Sequence, residues 1–72
     1  MQTKWVLEIY EDSRRKHTLI SIHEFNDFPS LRTKIVENPG RMFLVGPPTN
    51  ATPNDFQSLL DLWSEGFKVE RK

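Results

Sequence analysis

MFLVGPPTNATPNDF, residues 42–56, carries the chain from a continuous apolar run into the start of a helix, and that passage decides the fold. Met42 to Val45 contains no polar residue, the pattern of a central strand covered on both faces. Beyond the prolines, Thr52 is a natural N-cap, Pro53 suits the first helical position, and Asp55 stands where a capping box wants an acid. Ala51 is placed to staple onto Phe56. Phe56, Leu59, Leu60 and Trp63 then form one stripe at helical spacing, and Gly66 ends the helix. Phe67, Val69 and Arg71 alternate in a short last strand. A strand, a helix and a second strand of these lengths predict a right-handed crossover joining parallel neighbours.

On the N-terminal side, residues 3–10 alternate as a strand, with Trp5, Leu7 and Ile9 on one face and Lys4, Val6, Glu8 and Tyr10 on the other. Residues 17–24 repeat the pattern with Ile20 and Ile22. An antiparallel hairpin pairing Glu11 with Lys16 sets Ile9 against Thr18, Leu7 against Ile20 and Trp5 against Ile22. This register groups the bulky apolar residues and opposes unlike charges at the turn. The loop is then Asp12-Ser13-Arg14-Arg15. Asn26-Asp27-Phe28-Pro29 reads as a helix entry, Phe28, Leu31 and Ile35 follow at helical spacing, and Asn38-Pro39-Gly40 stops the helix.

The element order is ββαβαβ. The expected fold is a small α/β domain, an α+β two-layer sandwich with a mixed four-stranded sheet and both helices on one face. All 72 residues are expected to form a single small globular domain. The other sheet face is then open, carrying Lys4, Val6, Glu8 and Tyr10 beside His17, Leu19, Ser21 and His23, with two side chains from the Met42–Val45 run.

A chain of this length is near the lower limit for burying enough apolar surface to fold unaided. Without cysteine it has neither a disulfide nor a thiolate-bound metal, so packing, local signals or self-association must stabilise it. The start lacks the apolar run of a signal peptide, and no stretch approaches the roughly 20 apolar residues of a membrane span. The expectation is a soluble cytoplasmic protein with no membrane partner. Ten basic residues balance ten acidic ones, so no overall field draws the molecule onto nucleic acid or an anionic surface.

Catalytic constellations are sparse. His17 and His23, six residues apart on one strand, lie roughly 20 Å from one another at about 3.3 Å per residue, too far to share an ion. Ser13, His17 and Asp12 lie near one hairpin end, but a loop tip offers no preorganised surroundings, and turn chemistry accounts for Asp12 and Ser13. Asp55 and Asp61 are separated by most of two helical turns, and Asp55 suits the helix dipole. So small a chain also rarely wraps a substrate pocket. No catalytic, cofactor or metal residue is assigned, and the expected function is non-catalytic.

Two binding functions remain. Arg14, Arg15 and Lys16 crown the hairpin next to Tyr10 and His17, with Lys4 extending the patch, a layout in which cations track phosphates while rings stack bases. Glu8, Glu11 and Asp12 sit among the same groups and weaken it. The favoured expectation is protein binding or self-association through the open face, with Val6, Tyr10, Leu19 and His17 as interface residues. Two helices cover one sheet face and leave this apolar, tyrosine-containing patch behind a charged border. The Gly46–Asp55 junction is a poor anion site, because Pro47, Pro48 and Pro53 lack N–H groups and no cation lies within it. Asn50-Ala51-Thr52 matches a glycosylation acceptor and is read as a chance match.

Overall fold

A computed structural model describes residues 3–12 and 17–72. Its elements are β1 (Trp5–Asp12), β2 (His17–Phe25), α1 (Phe28–Val36), β3 (Arg41–Gly46), α2 (Pro53–Ser64) and β4 (Lys68–Arg71). They form a four-stranded mixed sheet in the order β2-β1-β3-β4, with β3 and β4 parallel and the other pairs antiparallel. This is the expected ββαβαβ two-layer arrangement.

Both helices begin where local chemistry sets them. The Asp27 carboxylate accepts the Ser30 N–H at 2.9 Å, and Pro29 lies in the first turn of α1. At α2 the capping box closes in both directions: Asp55 N–H donates to the Thr52 hydroxyl at 3.3 Å, and Thr52 N–H donates to the Asp55 carboxylate at 3.0 Å. These bonds satisfy donors that a helix start leaves without intrahelical partners. α2 ends in a Schellman motif, in which Phe67 N–H reaches the Leu62 carbonyl and Gly66 N–H the Trp63 carbonyl. Gly66 has φ of +102°, a conformation that glycine adopts without a Cβ penalty.

The core lies between the sheet and the helices. Trp5, Leu7 and Ile9 of β1, Phe43 and Val45 of β3 and Val69 of β4 meet Phe28, Leu31 and Ile35 of α1 and Leu59 and Leu62 of α2. Trp5 and Phe28 stack edge to face with centroids 5.2 Å apart, an arrangement in which positive ring edge meets negative ring face.

Two expectations need correction. The α2 stripe was expected to bury Phe56, Leu59, Leu60 and Trp63, but Leu59 and Leu62 are buried while Leu60 and Trp63 are exposed. Around a helix Leu62 lies about 60° to one side of Leu59 and Leu60 about 100° to the other. The Schellman end selects the Leu62 side, since it brings Phe67 back over that turn. Pairing of the hairpin also differs. Trp5 opposes Phe25, Leu7 opposes His23 and Ile9 opposes Ser21, in place of Ile22, Ile20 and Thr18. Phe25 packs against the core and takes the place expected for Ile22. Glu11, expected to pair with Lys16, opposes Thr18 instead, and Asp12, expected in the loop, ends β1 opposite His17; Ser13, Arg14, Arg15 and Lys16 lie outside the described residues.

The register is not uniform along β2. Ile9 opposes Ser21 while Tyr10 opposes Leu19, so Ile20 is an extra residue, a β-bulge. Side chains alternate between faces along a strand, and one inserted residue reverses the parity of everything beyond it. His23 and Ser21 therefore share the helix-side face with Leu7 and Ile9, contrary to their expected place on the open face. His17 and Leu19, on the far side of the bulge, remain on the open face with Asp12 and Tyr10.

Candidate functional site

The open sheet face is built in rows across the four strands. One row runs Ile22, Glu8, Leu44, Glu70, and the next runs Leu19, Tyr10, Met42, Lys68. Val6 lies beyond the first row, between Glu24 and Gly46. β1 and β3 supply the half-buried middle of the surface, and β2 supplies its exposed aliphatic margin. Leu19 is 45% and Ile22 56% exposed. In an unbroken strand, residues 19 and 22 would point to opposite faces. The bulge at Ile20 puts both on this one.

Glu8 is the buried charge at the centre of the surface. Its carboxylate accepts the Tyr10 hydroxyl at 2.6 Å and is ion-paired with Lys72. Lys72 is brought there by the chain end, whose Lys72 N–H donates to the Val45 carbonyl at 2.8 Å. The Lys72 ammonium first, and the Tyr10 hydroxyl second, hold the Glu8 carboxyl below its ordinary value, outweighing the desolvation that pushes it up. Tyr10 is raised for the reciprocal reason, since its proton is held by Glu8. A buried carboxylate with two donors is a satisfied group, and it fixes the tyrosine ring in place.

The expected interface residues are thus brought together in part. Val6, Tyr10 and Leu19 share the face, with Leu19 directly opposite Tyr10 and Val6 two rows away beyond Glu8, and His17 lies at its end opposite Asp12. Lys4 is exposed just before β1. Arg14, Arg15 and Lys16, the expected nucleic-acid contacts, are outside the described residues, as is Ser13 of the Asp12–His17 grouping. Lys68 is ion-paired with Asp12 and Lys72 with Glu8, so these two cations of the face are matched by carboxylates. Arg71 lies on the helix side, with its guanidinium 4.7 Å from the Phe56 ring centroid. Ile22 is the residue that sequence reasoning missed on the open face. Its only sequence signal was a competing one, since Phe25 also offers an apolar side chain opposite Trp5.

Among the described residues no group of three His, Cys, Asp or Glu is placed to hold a metal ion, and no helix is long and apolar enough to cross a membrane. The 46–55 junction uses its own donors: Ala51 N–H closes a turn onto the Pro48 carbonyl at 3.2 Å, and Thr52 N–H is taken by Asp55. Its peptide bonds are trans. Comparisons with protein-family models, with curated proteins and with solved structures find no match.

Proposed function

We propose that this chain is a small non-catalytic protein-binding or regulatory module, working in the cytoplasm, whose partner, another protein or a second copy, sits on the open sheet face. The observation that carries this reading is the placement of Leu19 and Ile22 on one face by the bulge, 45% and 56% exposed, beside the half-buried Val6, Tyr10, Met42 and Leu44. Each aliphatic side chain that leaves water contributes roughly 25 cal/mol per Å² of apolar surface, so the patch is a reservoir of association energy. Glu8, Tyr10 and Lys72 contribute differently. Their mutual hydrogen bonding lets a partner cover the centre of the face without leaving a charge unsatisfied.

Affinity capture from the native host with the wild-type chain and with a Leu19→Asp, Ile22→Asp double variant tests the proposal. Both positions are exposed, so the variant is expected to keep its circular dichroism and melting temperature. Partner capture or self-association is expected to weaken by about a hundredfold, the effect of desolvating two carboxylates in an apolar contact. Binding that persists in the double variant would overturn the assignment of this face.

A further inference from the structure

On the opposite side of the sheet, α2 and the edge strand β4 enclose an open groove of about 500 Å³, lined by Phe56, Leu59, Leu60, Trp63, Val69 and Arg71. We propose that this groove binds an extended peptide that places an apolar side chain between α2 and β4 and a carboxylate against Arg71. The site is independent of the open-face reading, since the two surfaces lie on different sides of the sheet.

Three observations on the groove converge. First, Trp63 is 65% and Leu60 58% exposed, and they stand on the groove side of α2. A protruding tryptophan beside a leucine is the kind of anchor that dominates binding energy at interfaces. Second, among the described residues the lining has one charge, and it is positive. Arg71 lies over the Phe56 ring, which fixes its planar guanidinium while leaving N–H groups at the rim of the plane, the geometry that receives a carboxylate. No acidic residue lines the groove, so the complementary ligand is apolar and negative.

Third, the backbone of β4 favours an extended ligand. β4 is an edge of the sheet, and Lys72 N–H is directed to β3 through the Val45 carbonyl. In a parallel ladder alternate residues turn their N–H and C=O to the same side, so those of Arg71 are directed away from β3 toward the open edge. A chain laid along β4 meets main-chain partners at Arg71 and sends alternate side chains over Leu60 and Trp63, the mode of strand addition. A second copy of β4 is a poor occupant, because Lys-Val-Glu-Arg has one apolar residue and more positive than negative charge.

Selection from a display library of random linear peptides, followed by fluorescence anisotropy with the enriched sequences, tests the inference. Enriched peptides are expected to pair an aliphatic or aromatic residue with a nearby Asp, Glu or terminal carboxylate. Trp63→Ser and Arg71→Glu should each weaken binding by about tenfold or more, and selection on Arg71→Glu should enrich Lys or Arg in place of the acid. The Leu19→Asp, Ile22→Asp variant should bind the same peptides unchanged, which separates this site from the open face. Both groove positions are exposed, and circular dichroism establishes that the variants fold. The inference is overturned if no peptide is enriched, if binding survives both groove variants, or if dodecanoate occupies the groove and peptides do not. It is equally overturned if Trp63→Ser abolishes a self-association detected by sedimentation, which would make a second copy the occupant.

Discussion

Glu8 shows how a charged residue becomes part of a sheet surface that would otherwise be apolar. It stands between Ile22 and Leu44 in its row, and its two donors come from different distances along the chain, Tyr10 two residues away and Lys72 at the far end. A folded-state pKa below the ordinary 4.5 means that the ionised form contributes stability at neutral pH, and that this contribution is lost as pH falls through the folded value. Asp27 acts in the same direction from its ordinary 3.8, because the Ser30 donors at the α1 cap hold its carboxyl down. Tyr10 has the opposite sign. Its raised value means that the neutral phenol contributes below pH 10, and that the contribution fades as pH rises through the folded value. Melting temperatures measured across the pH range should therefore fall on the acid side below about pH 4.5 and on the alkaline side above about pH 10. Glu8→Gln should shrink the acid limb and Tyr10→Phe the alkaline one. An acid limb of undiminished size in Glu8→Gln would show that Asp27 and the exposed carboxylates account for it instead.

At the scale of the element, β2 decides what the molecule presents. It is the longest strand and an edge, and between His17 and Phe25 it contains no lysine, arginine or proline, the residues that usually blunt an edge. The bulge takes that role, because a ladder interrupted at Ile20 gives an incoming strand a poorer template. Deleting Ile20 tests this directly. Leu19 would still oppose Tyr10 and Ser21 would still oppose Ile9, so the faces are kept and the edge becomes regular. The deletion variant is expected to fold and to self-associate more than the parent in sedimentation velocity, whereas a parent-like sedimentation coefficient would refute a guarding role for the bulge. The same strand marks where the sequence ceased to be legible. Helix starts were readable because Asp27, Thr52 and Asp55 act within three residues of themselves. The ββαβαβ order was readable from periodicity. The hairpin register was not, since Ile20, Ile22 and Phe25 compete for places against β1 and only packing under α1 decides for Phe25. Val6 and Tyr10 keep their expected place because the alternation of β1 does not depend on the register, and Leu19 and His17 keep theirs because the bulge restores the parity beyond Ile20. Ile22 was lost to the register error, and the α2–β4 groove was lost because Leu60 and Leu62 are equally apolar in sequence and differ only in where Phe67 returns.

In the molecule as a whole, some apolar residues hold the fold and others are left on its surfaces. Among the described residues eleven buried apolar side chains form the core, and a chain of 72 residues is expected to have a stability of about 4–11 kcal/mol. Phe43 lies on the central strand β3, is 1% exposed, and sits between Ile9 and Val69. Phe43→Ala should cost about 3–5 kcal/mol through lost transfer energy and a residual cavity, a large fraction of that stability. Leu19→Ser and Ile22→Ser remove side chains of comparable hydrophobicity that are already about half in water. Each should change stability by no more than about 0.5 kcal/mol. Urea denaturation of the three variants makes the comparison. If the two serine variants approach the Phe43→Ala loss, the open face is part of what holds the sheet together and its aliphatics have no need of a partner. If they remain near the wild type while partner capture fails, the stability of the fold and the stickiness of the face are separable properties. A chain this small that leaves Leu19 and Ile22 outside its core is then using them for association.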